Sequence, residues 1–132
     1  TWCGPCLAEF PDLMATHRMY RSRGFSLITV ASNAPGERPD VLSFLQRQNA
    51  ITQNYLYASD DVYAMQEAFD ANVGSAVPIT VLLGPNGELL LDQKGEIELL
   101  PARRAVLANL PDAPGHEGAQ KYWIGALYKK HE

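Results

Sequence analysis

Thr1-Trp2-Cys3-Gly4-Pro5-Cys6 opens the chain and contains both of its cysteines. In a C-x-x-C spacing the first cysteine can stand at the start of a helix and the second one turn inside it. The two sulfurs are then close enough to close a disulfide across a small ring. A helix N-terminus carries partial positive charge and unpaired N–H groups, which favour a thiolate on Cys3 and lower its pKa. Cys6, deeper in the turn, is expected to be the less exposed thiol. A nucleophilic thiolate beside a resolving thiol is the minimum equipment for thiol–disulfide exchange, and the sulfurs need no cofactor for it.

Other readings of the pair are weaker. A purely structural disulfide over two intervening residues constrains the unfolded chain little and so stabilises little. A zinc site needs further ligands, yet there is no second C-x-x-C, and His17, His116 and His131 are scattered without ligand spacing. Copper held by Cys3 and Cys6 lacks a nearby histidine for the same reason. Two inert buried thiols would not call for Gly4-Pro5 between them.

The rest of the composition sets bounds on function. The 132 residues suit one domain with a real core, and 46% hydrophobic with 20% charged residues is ordinary for a globular protein. A net charge of −4 gives no electrostatic footprint for nucleic acid or an anionic membrane surface. No apolar run approaches the roughly 20 residues of a membrane span. The chain begins without methionine and without a signal peptide, so it reads as a processed or excised piece from which an address or membrane anchor could have been removed.

The periodicities give an order of elements. Residues 7–22 read as a long helix with Leu7, Phe10, Leu13, Met14 and Met19 on its apolar side and His17, Arg18 and Arg21 on the wetter one. Pro11 predicts a kink about two turns in. Residues 25–31 read as a buried parallel strand. Pro39 suits the first turn of a helix reaching about Asn49, with Val41, Phe44, Leu45 and Gln48 in one stripe. Residues 55–58 are expected as a short strand, and Ser59 or Asp60 as the cap of a helix that turns Val62, Met65 and Phe69 inward and ends near Asn72. Ser75-Ala76-Val77-Pro78 leads into a strand at 79–83. Pro85-Asn86-Gly87 then turns the chain back into a second strand at 88–92. Gly95 breaks that strand, and residues 99–110 form a closing helix. The class is α/β with a mixed sheet. Residues 111–115 have linker composition. Beyond them, residues 117–130 show helical spacing with Ala119, Tyr122, Trp123, Ala126 and Leu127 on one face, which suits an added packing helix or a docking helix for a partner.

The chain resembles the thioredoxin-like superfamily and, within it, the TlpA-like, ResA-type branch. The likeness is carried by Trp2-Cys3-Gly4-Pro5-Cys6, Glu9-Phe10-Pro11, Val77-Pro78-Ile79-Thr80, the Gly84-Pro85-Asn86-Gly87 turn and Gly95. It covers residues 1–110 as one thioredoxin-like domain and leaves residues 111–132 as a linker and C-terminal helical extension. It implies that Cys3 attacks a substrate disulfide and that Cys6 resolves the mixed disulfide. It also implies a cis Val77–Pro78 peptide facing the cysteines, where the backbone of Val77 could pair with an extended substrate. For Pro78 the plain alternative is a strand-start proline. Trp2 would shield the thiols and offer a contact surface, or simply pack. Pro5, which loses no helical bond in the first turn, would fix the backbone between the sulfurs. Glu9 could tune proton transfer at Cys6, although a surface carboxylate is the commoner fate of such a residue.

Two departures from the family pattern matter. Family members carry a buried strand directly before the Trp-Cys helix, and this chain starts at the motif, so the domain reads as incomplete at its N-terminus. A slot left by that strand would be filled by another chain, giving self-association, or by the aromatic stretch 122–128. Ile79 stands where cytochrome-maturation reductases of the branch tend to carry an acid, which argues against a dedicated haem-apoprotein role. The reading is a thiol-disulfide oxidoreductase working on protein substrates as a reductant, fed by an upstream electron donor and placed in the periplasm by likeness. Its rivals are a non-catalytic thioredoxin-like binding module and a thiol peroxidase, which the Trp-Cys-Gly-Pro-Cys run disfavours.

Overall fold

The computed structural model of the chain describes residues 1–59, 61–69 and 77–111. Helix α1 runs from Gly4 to Tyr20, and a 3-10 turn, Arg21–Arg23, ends it at Gly24, whose φ of 92° only glycine adopts freely. Strand β1 (Ile28–Ala31) follows, then a 3-10 turn (Pro35–Glu37) and helix α2 (Arg38–Arg47). Strand β2 (Gln53–Leu56) and helix α3 (Val62–Phe69) lead to the hairpin of β3 (Ile79–Leu83) and β4 (Leu89–Lys94). Helix α4 spans Leu99–Asn109. The α/β class holds. Among the described residues the strands pair both ways, β1 parallel to β2 and β3 antiparallel to β4, as two ladders.

Local chemistry accounts for most of these boundaries. Pro39 sits in the first turn of α2, where its missing N–H costs nothing, and Asn49 closes the helix at a φ of 48°. The cap of α3 is Asp61, whose Oδ1 accepts the Ala64 N–H at 3.0 Å, while Ser59 Oγ accepts the Asp61 N–H at 3.1 Å. In the hairpin, Gly84 N–H donates to Glu88 O at 2.8 Å and Gly87 takes a φ of 80°. Strand β2 begins at Gln53 rather than Tyr55, because Asn54 is tied down there. Its Oδ1 accepts from Thr29 Oγ1 at 2.6 Å and from Thr52 Oγ1 at 2.8 Å.

The core joins α1, α2 and α4: Phe10, Met14, Val41, Ala102, Val106, Leu107 and Leu110 are all buried. Phe10 meets Phe44 edge-on with ring centroids 4.9 Å apart, which locks α1 against α2. Arg103 Nε donates to the buried Thr16 Oγ1 at 3.1 Å and links α4 to α1. Two expectations need correction. Strand β1 is not buried throughout: Ile28 and Val30, alternate residues on one face, are exposed, and Tyr55 beside Val30 is exposed with them. Met19 is exposed because the buried stripe of α1 turns through Glu9, Phe10, Met14 and Thr16 instead. Pro11, where a kink is expected, lies inside α1, which runs on past it to Tyr20. The facing of the Val62, Met65 and Phe69 side chains, the expected helix end at Asn72, Ser75-Ala76 and the whole of 112–132 lie outside what the structure describes.

Candidate active site

Cys3 is the N-cap of α1, with extended backbone angles (φ −87°, ψ 105°), and Gly4 and Pro5 fill the first helical positions. Pro5 has no N–H, so the first turn directs its Cys6 N–H to Cys3, where Sγ accepts it at 3.3 Å. The Leu7 N–H closes the first helical bond to Cys3 O at 3.1 Å. The sulfurs are joined in a disulfide, S–S 2.01 Å, with Cα atoms 5.3 Å apart. In this oxidised form the order of exposure is the reverse of the expected one. Cys3 is only 8% exposed, whereas Cys6 is half-buried. The bond to Cys6 draws Sγ of the capping residue back over the first turn, against the Cys6 amide.

Around the pair, the other singled-out residues divide by environment. Trp2 is 63% exposed, so its ring is not packed away. Gly4, Pro5 and Pro11 are exposed on α1. Val77 is half-buried, Pro78 is buried, and the peptide bond between them is cis. Glu9 overturns the expectation of a surface carboxylate, being 6% exposed. Its Oε2 accepts the Ile97 N–H at 2.8 Å. Burial raises its pKa above the ordinary value of 4.5; the Ile97 N–H opposes this, and the nearby Glu96 charge adds to the rise. One turn of chain connects Glu9 to Pro78, because Gly95 N–H donates to Pro78 O at 2.9 Å two residues before Ile97. Gly95 has a φ of 87°, which lets the backbone present both N–H groups from so short a turn.

The sequence reading missed the loop that holds Thr1. Asn33, just past β1, is 5% exposed. Its Oδ1 accepts from the Thr1 nitrogen at 3.0 Å and its Nδ2 donates to Thr1 Oγ1 at 2.9 Å. Glu37 Oε2 accepts from Asn33 Nδ2 at 3.3 Å and from the Ala34 N–H at 2.9 Å. Within a run of turn residues, nothing local marked one asparagine as buried. Among the described residues no group of histidine, cysteine and acid side chains could hold a metal ion. No described helix is long and apolar enough to cross a membrane.

The sequence model of the Redoxin family matches residues 1–101. The chain belongs to the Redoxin family. A curated relative, the thiol-disulfide oxidoreductase ResA of Bacillus subtilis (strain 168), is 27% identical over 90 residues, which are 68% of this chain and 46% of the relative. The chain therefore spans about half the length of the curated relative it matches. Together these make it a thioredoxin-like protein of the TlpA/ResA type.

Proposed function

We propose that the chain is a thiol-disulfide oxidoreductase that exchanges a Cys3–Cys6 dithiol with disulfides of protein substrates. One observation carries this: the capping sulfur of Cys3 lies 3.3 Å from the Cys6 N–H at the positive end of a seventeen-residue helix, with Cys6 its disulfide partner in the first turn. That N–H and the helix dipole favour negative charge on Cys3 once the disulfide opens.

In the reducing direction, the Cys3 thiolate attacks one sulfur of the substrate disulfide and expels the other as a thiolate, leaving a mixed disulfide. Cys6 gives up its proton, attacks Cys3 Sγ and expels the second substrate sulfur. Two electrons pass from the protein to the substrate, the Cys3–Cys6 bond forms, and the two substrate thiolates take up protons. An upstream dithiol donor returns the pair to its reduced form by the same exchange run backwards. Exposed Trp2 supplies an apolar wall beside Cys3, and Val77 and Pro78 supply the backbone against which an extended substrate lies. Gly4 and Pro5 set the spacing of the sulfurs, while Glu9 and Pro11 shape the helix behind them. The likeness to the ResA-type branch supports work as a reductant outside the cytoplasm, where a membrane anchor would suit the role.

Insulin reduction tests this directly. Cys3→Ser should abolish it, and Cys6→Ser should accumulate mixed disulfides through Cys3. Full activity in Cys3→Ser would refute the mechanism, and a wild-type protein that binds substrates without turnover would make the domain a binding module.

A further inference from the structure

Trp2 is 63% exposed, so the backbone on either side does more than packing to set where its ring stands. On its C-terminal side the chain is fixed by the Cys3 cap and the first bonds of α1. On its N-terminal side the neighbouring residue, Thr1, is gripped at two points by one buried side chain, Asn33. An asparagine amide has one acceptor end and one donor end, and Thr1 meets both, at its nitrogen and its hydroxyl. Glu37 sets the direction of that amide: an ionised carboxylate only accepts, so the Nδ2 end of Asn33 must face it. The Ala34 N–H holds the same carboxylate oxygen at 2.9 Å, so the grip is fastened to the loop that follows β1.

We infer that Asn33 is a positioning residue for substrate selection, holding Thr1 so that the exposed Trp2 ring stands as a fixed wall for protein disulfides beside Cys3. This rests on the proposed exchange activity of the Cys3–Cys6 pair. Asn33 touches neither sulfur by hydrogen bond among the described contacts; its effect passes through Thr1 to Trp2. A large protein substrate uses the wall, whereas a small disulfide such as oxidised glutathione needs little of it. Losing the grip therefore weakens the protein reaction more than the small-molecule one, and the loss falls mainly on KM.

The test compares the pre-reduced full chain as wild type, Asn33→Ala, Thr1→Val, Trp2→Ala and the Asn33→Ala/Trp2→Ala double variant. Rates with insulin and with oxidised glutathione are measured for each, beside thermal unfolding. For Asn33→Ala the ratio of the insulin rate to the glutathione rate should fall at least fivefold. Thr1→Val removes only the hydroxyl acceptor at an exposed position, so it should lower the ratio at least twofold, and it provides the answer if Asn33→Ala fails to fold. In the Trp2→Ala background, adding Asn33→Ala should change the ratio less than twofold, because both act through one wall. A ratio within twofold of wild type in Asn33→Ala or, failing that, in Thr1→Val overturns the inference, as do effects of Asn33→Ala and Trp2→Ala that simply multiply. Wild-type protein that reduces neither substrate sinks the exchange activity itself, a result easily told from the other two.

Discussion

Glu9 offers a perturbation whose size and sign follow from its surroundings. Its carboxylate is 6% exposed and accepts the Ile97 N–H at 2.8 Å, so Glu9→Ala leaves a half-buried donor without its acceptor. Orphaning such a group costs about 1–3 kcal/mol, and a value near 2 would lower the melting temperature by roughly 6–10 °C in a domain of this size. Glu9→Gln keeps an acceptor for Ile97 but carries no charge, so it separates the hydrogen bond from the ionisation. Burial and Glu96 raise the Glu9 pKa above 4.5, so the folded state holds this proton more tightly than the unfolded state does. Wild-type stability from this group is therefore full below the ordinary glutamate range and is lost as pH rises through the raised value. Urea unfolding of the oxidised protein between pH 4 and pH 8 reads the difference. Glu9→Gln should gain on wild type as the pH rises, while Glu9→Ala should stay the least stable of the three at neutral pH. A Gln-minus-wild-type difference that is flat with pH, or a Glu9→Ala cost under about 0.5 kcal/mol, would refute the account of this buried carboxylate.

Two further outcomes follow from the same reasoning. His17 lies against Phe25 with a buried Nδ1 that has no hydrogen-bond partner among the described residues, and burial together with Arg21 and Arg18 lowers its pKa below 6.5. The unfolded state then takes up the proton first, so wild-type stability should fall as pH drops below about 6.5. His17→Leu should flatten that limb in the same urea series, and an unchanged slope would count against it. Gly95→Ala forces a side chain into a φ of 87° and should cost about 1–2 kcal/mol in urea unfolding. Because Gly95 also donates to Pro78 O, that variant should slow insulin reduction more than the reaction with oxidised glutathione.

What the sequence disclosed was local chemistry. The start of α1 followed from a capping cysteine and a first-turn proline, and the β3–β4 hairpin from Pro85-Asn86-Gly87, since each rests on neighbours a few residues away. Strand β3 matched residue for residue. The places where the reading failed depend on distant partners. Glu9 is buried because Ile97, eighty-eight positions along, supplies an N–H at the right spot. Asn33 is buried because Thr1, thirty-two positions back, fills both ends of its amide. An apolar count on α1 put Met19 inside, whereas Arg103 reaching Thr16 shows that the α4-facing stripe accepts polar residues. Strand β2 began two residues early because the Asn54 side chain, not hydrophobic alternation, fixes its first pairs.

Competitive alkylation of the fully reduced chain at pH 7, with each cysteine followed by mass spectrometry against a free cysteine peptide, bears most directly on the redox reading. A helix-capping thiolate predicts that Cys3 is modified at least tenfold faster than Cys6 and also faster than the peptide. Equal, peptide-like rates at both positions would mean that the N-terminus of α1 does not activate Cys3, and the exchange chemistry would lose its physical basis.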